Sequence, residues 1–126
     1  ELYGTTSLKE IEKELEQQAN NSGHELESFQ SNAEHELVDK IHEAKEKGVI
    51  CIIFNPGAFT HSSIALRDAL TGTKLPFVEV HISNIYSRED FRRKSFLSEI
   101  AIAVISGLGP EGYGMALNAA IEKFGK

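Results

Sequence analysis

The sequence predicts an α/β domain in which helices sandwich a parallel sheet, and three observations carry that reading. Apolar runs rich in β-branched residues, "VICIIF" (49–54) and "AIAVIS" (101–106), read as strands covered on both faces. Stretches with apolar residues at helical spacing lie between such runs. The two kinds alternate along the chain, as strand–helix–strand crossovers of the usual right hand require. At 126 residues the chain suffices for one domain with a real core and is too short for two, so residues 1–126 read as a single domain.

In order, Tyr3 stands in an irregular lead-in to a helix over 7–21. Ser7 and Glu10 form its capping box, Leu8, Ile11 and Leu15 its apolar stripe, and Gly23 its stop. "HELESFQS" (24–31) alternates like a short strand. Ser31 and Glu34 form a second capping box, opening a helix that carries Leu37, Val38, Ile41 and Ala44 and closes at Gly48. The strand 49–54 is followed by the loop "NPGAFTHSS" and a helix from about Ser63 to Leu70 that ends near Gly72. "VEVHISN" (78–84) is the next strand, followed by a short helix after Ser87 and the strand 101–106. "GLGPEGYG" reads as a tight strand-to-helix connection, with Pro110 suited to a helix's first turn. The final helix has Leu117, Ala120, Ile121 and Phe124 on one side. A doubly wound domain normally begins with a strand, and here a helix comes first. The expectation is therefore an N-terminally incomplete domain, its initial strand cleaved away or retained as a separate fragment.

Composition excludes several functions. With 13 Lys plus Arg against 19 Asp plus Glu, the formal net charge is −6, which disfavours a nucleic acid partner. The apolar runs are far shorter than the ~20 residues that cross a bilayer, so no membrane role is expected. The single cysteine, Cys51, sits in an apolar run and reads as a core filler in a reducing compartment, which makes the cytoplasm the expected location. No Cys/His spacing resembles a metal site, and no cofactor motif stands out.

In an open α/β sheet the loops beyond the carboxyl ends of the strands bind ligands. Two of them are dense in polar groups: Asn55, Thr60, His61 and Ser62 in one, and Glu79, His81, Ser83, Asn84, Arg88 and Arg92 in the other. Glu79 and His81 share one side of a strand, because side chains there alternate with a period of two. The carboxylate can fix which imidazole nitrogen carries the proton, leaving the other to protonate a leaving group. The alternative is a structural pair in which the two merely satisfy each other. Plain readings stand beside the other residues too: a loop histidine for His61, a turn residue for Asn55, surface charges for Asp68, Arg88 and Arg92, and an inert phenol for Tyr3.

The strings "NPGAFTHSSIALRDAL", "PFVEVHISNIYSREDFRRKSFLS" and "ISGLGPEGYGMAL", with "YGTTSLKEIE" and "FQSNAEHELVDKIHEA", resemble in order and spacing the type II 3-dehydroquinate dehydratases. The resemblance runs from Tyr3 nearly to the end of the chain. It implies a flavodoxin-like three-layer sandwich with sheet order 2-1-3-4-5, whose first strand this chain lacks. It further implies a cofactor-free, metal-free anti elimination of water from 3-dehydroquinate through an enolate, giving the 3-dehydroshikimate of the shikimate pathway. By the same resemblance Tyr3, on a lid, is the base; His81 is the general acid and Glu79 its orienting partner. Asn55 binds the departing hydroxyl, the backbone N–H groups of Ile82 and Ser83 cradle the substrate carboxylate, and His61 and Arg92 contact ring hydroxyls. Asp68 reaches a neighbour's site in a trimer-based homo-oligomer, commonly a dodecamer. A phenol serves as base near neutral pH where a cation favours phenolate, and Arg88 is the candidate for that cation. The family's lid arginine, and the asparagine that ends its opening strand, have no counterpart here, so residues 1–126 alone are expected to react poorly.

Two other classes compete. A phospho-acceptor domain would want acidic residues at the strand ends, where Asn55, Ser83 and Gly107 stand. A non-catalytic scaffold homologue would have no need of Tyr3, Asn55, His81 and Arg92 together.

Overall fold

The computed structural model describes residues 2–3, 6–57, 59, 62–84 and 95–125, with side chains from Ser7 onward. Its elements are strands β1 (Leu2–Tyr3) and β2 (Thr6–Ser7), helices α1 (Leu8–Asn21) and α2 (Glu34–Glu46), and strand β3 (Ile52–Phe54). Helix α3 (Ile64–Thr73), strands β4 (Phe77–His81) and β5 (Ala103–Ser106), and helix α4 (Glu111–Phe124) complete them. Strands β3, β4 and β5 form a parallel sheet in that order, with Phe54 beside Glu79 and His81 beside Ser106. The α/β architecture expected from the sequence is therefore present.

Alternation along the strands sorts the core into two layers. Phe77 faces Leu66, Ala69 and Leu70 of α3 and Ile41 of α2, closed by Phe54 and Leu97. Val78 and Val80 face the other way, onto Ala116 of α4, with Ile53, Ile105 and Tyr113 around them. Each large apolar side chain buried in this way contributes about 1.5–3 kcal/mol before entropy is counted. Gln18 of α1 ties that second layer together, its Nε2 donating to Gly114 O at 2.9 Å and Asn118 Oδ1 at 2.8 Å.

Local signals account for most helix ends. The Ser7/Glu10 capping box forms, with Glu10 N donating to Ser7 Oγ at 3.2 Å. Helix α2 stops in a Schellman turn: Val49 N donates to Ala44 O, Gly48 N donates to Lys45 O, and Gly48 takes the left-handed φ of 80° that a Cβ would resist.

Several expectations require correction. Residues 24–31 form no strand, because no neighbouring edge among the described residues offers them a ladder. Side chains hold the segment instead: Lys40 pairs with Glu27 and lies 5.1 Å from the Phe29 ring centre. The hydrogen bond to Lys40 is also the main cause that lowers the Glu27 carboxyl below its ordinary range. The second capping box is displaced: Ala33 is the N-cap of α2, while Ser31 Oγ accepts from Ala33 N and donates to Glu36. Strand β3 is shorter than the run 49–54, and Ile50 is 53% exposed, since only β4 pairs with β3 among the described residues. Helix α3 runs through Gly72 to Thr73, and its left-handed cap is Lys74 at φ 58°. Strand β5 begins at Ala103, not Ala101. Tyr3 is not in irregular chain: its backbone pairs with Thr6 in a two-residue antiparallel ladder. The helix expected after Ser87 falls largely on residues outside those described.

Gly107, Gly109 and Gly112 also stand at the G-x-G-x-x-G spacing, between a strand and a helix, which is the setting of a dinucleotide loop. Here those amides are already committed. Gly107 N donates to His81 O at 3.1 Å, Gly109 N to Ile82 O at 2.9 Å and Gly112 N to Gly109 O at 3.1 Å. The loop therefore braces the turn after β4 instead of cradling a phosphate.

Candidate active site

The parallel register brings the carboxyl ends of β3, β4 and β5 to one edge. Glu79 and His81 lie there on the α3 side of β4, continuing the face of Phe77. Neither belongs to a solvated strand face: Glu79 is fully buried and His81 is 5% exposed.

A buried carboxylate is tolerated only where donors surround it. His81 Nε2 bonds Glu79 Oε2. Ser98 Oγ donates to both carboxylate oxygens, at 3.1 and 3.2 Å, and Ser95 Oγ donates to Oε1 at 3.3 Å. With Nε2 turned to the carboxylate, Nδ1 is the ring atom left to face a substrate. Such a pair can hold an imidazole in one orientation and stabilise its charged form as it trades a proton.

The backbone after His81 is pinned as well. Besides the two glycine amides on His81 O and Ile82 O, Ser106 Oγ donates to Ser83 O at 3.2 Å. The carbonyls of residues 81–83 are thus all engaged from the end of β5 and the loop that follows it, which fixes the peptide planes that the Ile82 and Ser83 N–H groups share.

Asn55 follows β3 on the α4 side, continuing the face of Ile53. Its Oδ1 accepts from Gly57 N at 3.1 Å, the local turn contact expected of an Asn before Pro-Gly. Its Nδ2 donates to Tyr113 OH at 2.7 Å. Asn55 and the Glu79–His81 pair therefore stand at the same end of the sheet, each with its own partners.

Asp68 lies exposed on α3 and takes no part in the Glu79 cluster. Its neighbour Arg67 anchors the chain beyond the site, bonding Phe96 O and pairing with Glu99 at 2.7 Å. His61, Arg88, Arg92 and the Tyr3 side chain lie outside the described residues. Among the described residues no three His, Cys, Asp or Glu side chains could hold a metal ion together. No helix there is long and apolar enough to cross a membrane.

Sequence reasoning missed Ser95, Ser98 and Tyr113. A glutamate predicted at the centre of a buried strand signals that donors must come from somewhere, yet nothing in "KSFLSEI" says that its serines supply them.

The chain matches the family described as "Dehydroquinase class II" over residues 1–121. It is 58% identical over 121 residues to the 3-dehydroquinate dehydratase of Thioalkalivibrio sulfidiphilus, covering 96% of this chain and 82% of the relative. It is 53% identical to 3-dehydroquinate dehydratase 1 of Pseudomonas aeruginosa, with the same coverage of both chains. Among solved structures, the type II dehydroquinase of Butyrivibrio crossotus superposes with a TM-score of 0.89 at 38% identity, covering 94% of this chain and 83% of that one.

Proposed function

The chain belongs to the type II dehydroquinase family and has its flavodoxin-like fold, and from that premise we propose that it eliminates water from 3-dehydroquinate to give 3-dehydroshikimate. The observation that carries the mechanism is the buried Glu79–His81 pair at the carboxyl end of β4, which is built to handle a proton. In the first step the Tyr3 phenolate takes the proton beside the ketone, and the electron pair of that C–H bond moves onto the carbonyl oxygen as an enolate. In the second the enolate collapses to the conjugated ketone, the C–O bond to the tertiary hydroxyl breaks, and the His81 imidazolium gives that oxygen its proton, releasing water. Arg88 favours the phenolate by its charge. Asn55 holds the departing hydroxyl, the Ile82 and Ser83 amides receive the substrate carboxylate, and His61 and Arg92 contact ring hydroxyls. Asp68 completes a neighbouring site in a trimer-based homo-oligomer, a dodecamer at full assembly, acting in the cytoplasm within the shikimate pathway.

Absorbance of the conjugated enone on adding 3-dehydroquinate tests the activity, and Tyr3→Phe and His81→Ala test the roles. Both variants should lose at least 100-fold in kcat, the scale of a lost acid or base. Borohydride added during turnover should leave the protein unlabelled, because no lysine imine forms. An inactive protein would instead favour a non-catalytic scaffold.

A further inference from the structure

We propose that Ser95 and Ser98 are positioning residues for the reaction, holding the Glu79 carboxylate so that it can aim and charge-stabilise His81; the inference rests on the dehydration proposed above. Four observations lead to it.

First, Glu79 is fully buried, so its carboxyl group needs hydrogen-bond donors, and the hydroxyls of Ser95 and Ser98 are two that it has. Second, Ser95 has a determined polarity. Its Oγ accepts from Leu97 N and Ser98 N, each at 3.0 Å, which engages both lone pairs and turns its single proton toward Glu79 Oε1. Third, Ser98 Oγ lies between the two carboxylate oxygens and has no other hydrogen bond among the described residues. That contact fixes the rotation of the carboxylate about its last bond, and with it the direction from which Oε2 meets His81 Nε2. Fourth, the serines come from a separate stretch of chain, fastened by Leu97, which is fully buried, and by Arg67 on Phe96 O. The site is thus braced from outside its own strand.

A carboxyl group held in this orientation keeps an acceptor oxygen in line with His81 Nε2, so the ring stays aimed as it trades a proton. Without the two hydroxyls the carboxylate would be held less firmly in the orientation that meets the ring. The proton donor would then be misaimed, while substrate binding by other groups would stay intact.

The test compares wild type, Ser98→Ala, Ser98→Thr, Ser95→Ala and the double alanine variant in steady-state dehydration of 3-dehydroquinate, with melting temperatures measured in parallel. Ser98→Ala is the cleanest, since among the described residues that hydroxyl serves Glu79 alone. The expected result is a kcat at least 10-fold lower for Ser98→Ala and lower again for the double variant, KM within about 2-fold of wild type, and recovery of most of kcat in Ser98→Thr, which restores the hydroxyl. Wild-type kcat in the double alanine variant overturns the proposal and leaves the dehydratase reading standing. So does a loss that Ser98→Thr fails to recover in a variant that melts like wild type. A wild-type protein without turnover overturns both.

Discussion

The amide of Asn55 reaches across the carboxyl end of the sheet to the phenol of Tyr113, Nδ2 to OH at 2.7 Å, while its carbonyl oxygen takes Gly57 N at 3.1 Å. Together these contacts decide which way round the amide stands. Tyr113 reaches it because its ring packs beside Val80 and Ala116 on the α4 side of the sheet. Removing the hydroxyl should let the amide turn. Tyr113→Phe should therefore lower kcat/KM several-fold at a stability loss of about 1 kcal/mol, the net value of one hydrogen bond. In a double-mutant cycle with Asn55→Ala, the two losses should fall short of adding. Steady-state kinetics on the four proteins checks this, and simple additivity would disconnect the two residues.

Glu79 supports both stability and chemistry. Glu79→Ala leaves His81, Ser95 and Ser98 without their shared acceptor in a buried place. The expected cost is about 2–4 kcal/mol, read as a lower melting temperature, with kcat reduced about 100-fold or more. Glu79→Gln, which keeps the shape and one acceptor oxygen, should recover most of the stability and little of the rate. Equal rates in Glu79→Gln and wild type would mean that the charge is irrelevant.

Gly107 carries φ 89°, and a Cβ built there would stand 3.1 Å from Asn84 Cβ. Gly107→Ala is thus strained in its backbone and pressed against the turn after β4. It should lose about 1–2 kcal/mol from the left-handed conformation alone. It should also raise KM, because its own amide holds His81 O and the turn it braces presents the Ile82 and Ser83 amides. A variant with unchanged KM would remove this turn from substrate binding.

Cys51 is half-buried beside β3, and burial pushes its thiol up to about 11 from the ordinary 9.0. The folded protein thus holds this proton more tightly than the unfolded chain. The resulting stability is fully present below pH 9 and is lost as pH rises from 9.0 toward 11. At pH 8 the native thiol should react with iodoacetamide far more slowly than the same thiol in denaturant, and Cys51→Ala should flatten the fall of melting temperature between pH 9 and 11. Equal alkylation rates in the native and denatured protein would contradict the burial.

Much of this was legible in the residues. The α/β class followed from β-branched runs alternating with helical stripes, and Ser7–Glu10 and Gly48 act through neighbours a few positions away, so their caps survive folding unchanged. The period of two placed Glu79 and His81 on one side of a strand before any coordinate. The same local logic failed at residues 24–31, where alternation was present but a strand requires an edge to pair with, and at Ser31, where the helix begins after Ala33 and the serine bonds Glu36 instead of Glu34. Only the tertiary structure decided that the polar side of β4 is buried rather than solvated, and that Ser95, Ser98 and Tyr113 belong at the site. Those facts depend on contacts between residues 16 to 58 positions apart, and hydrogen bonds across such separations leave no periodicity in a single chain's sequence.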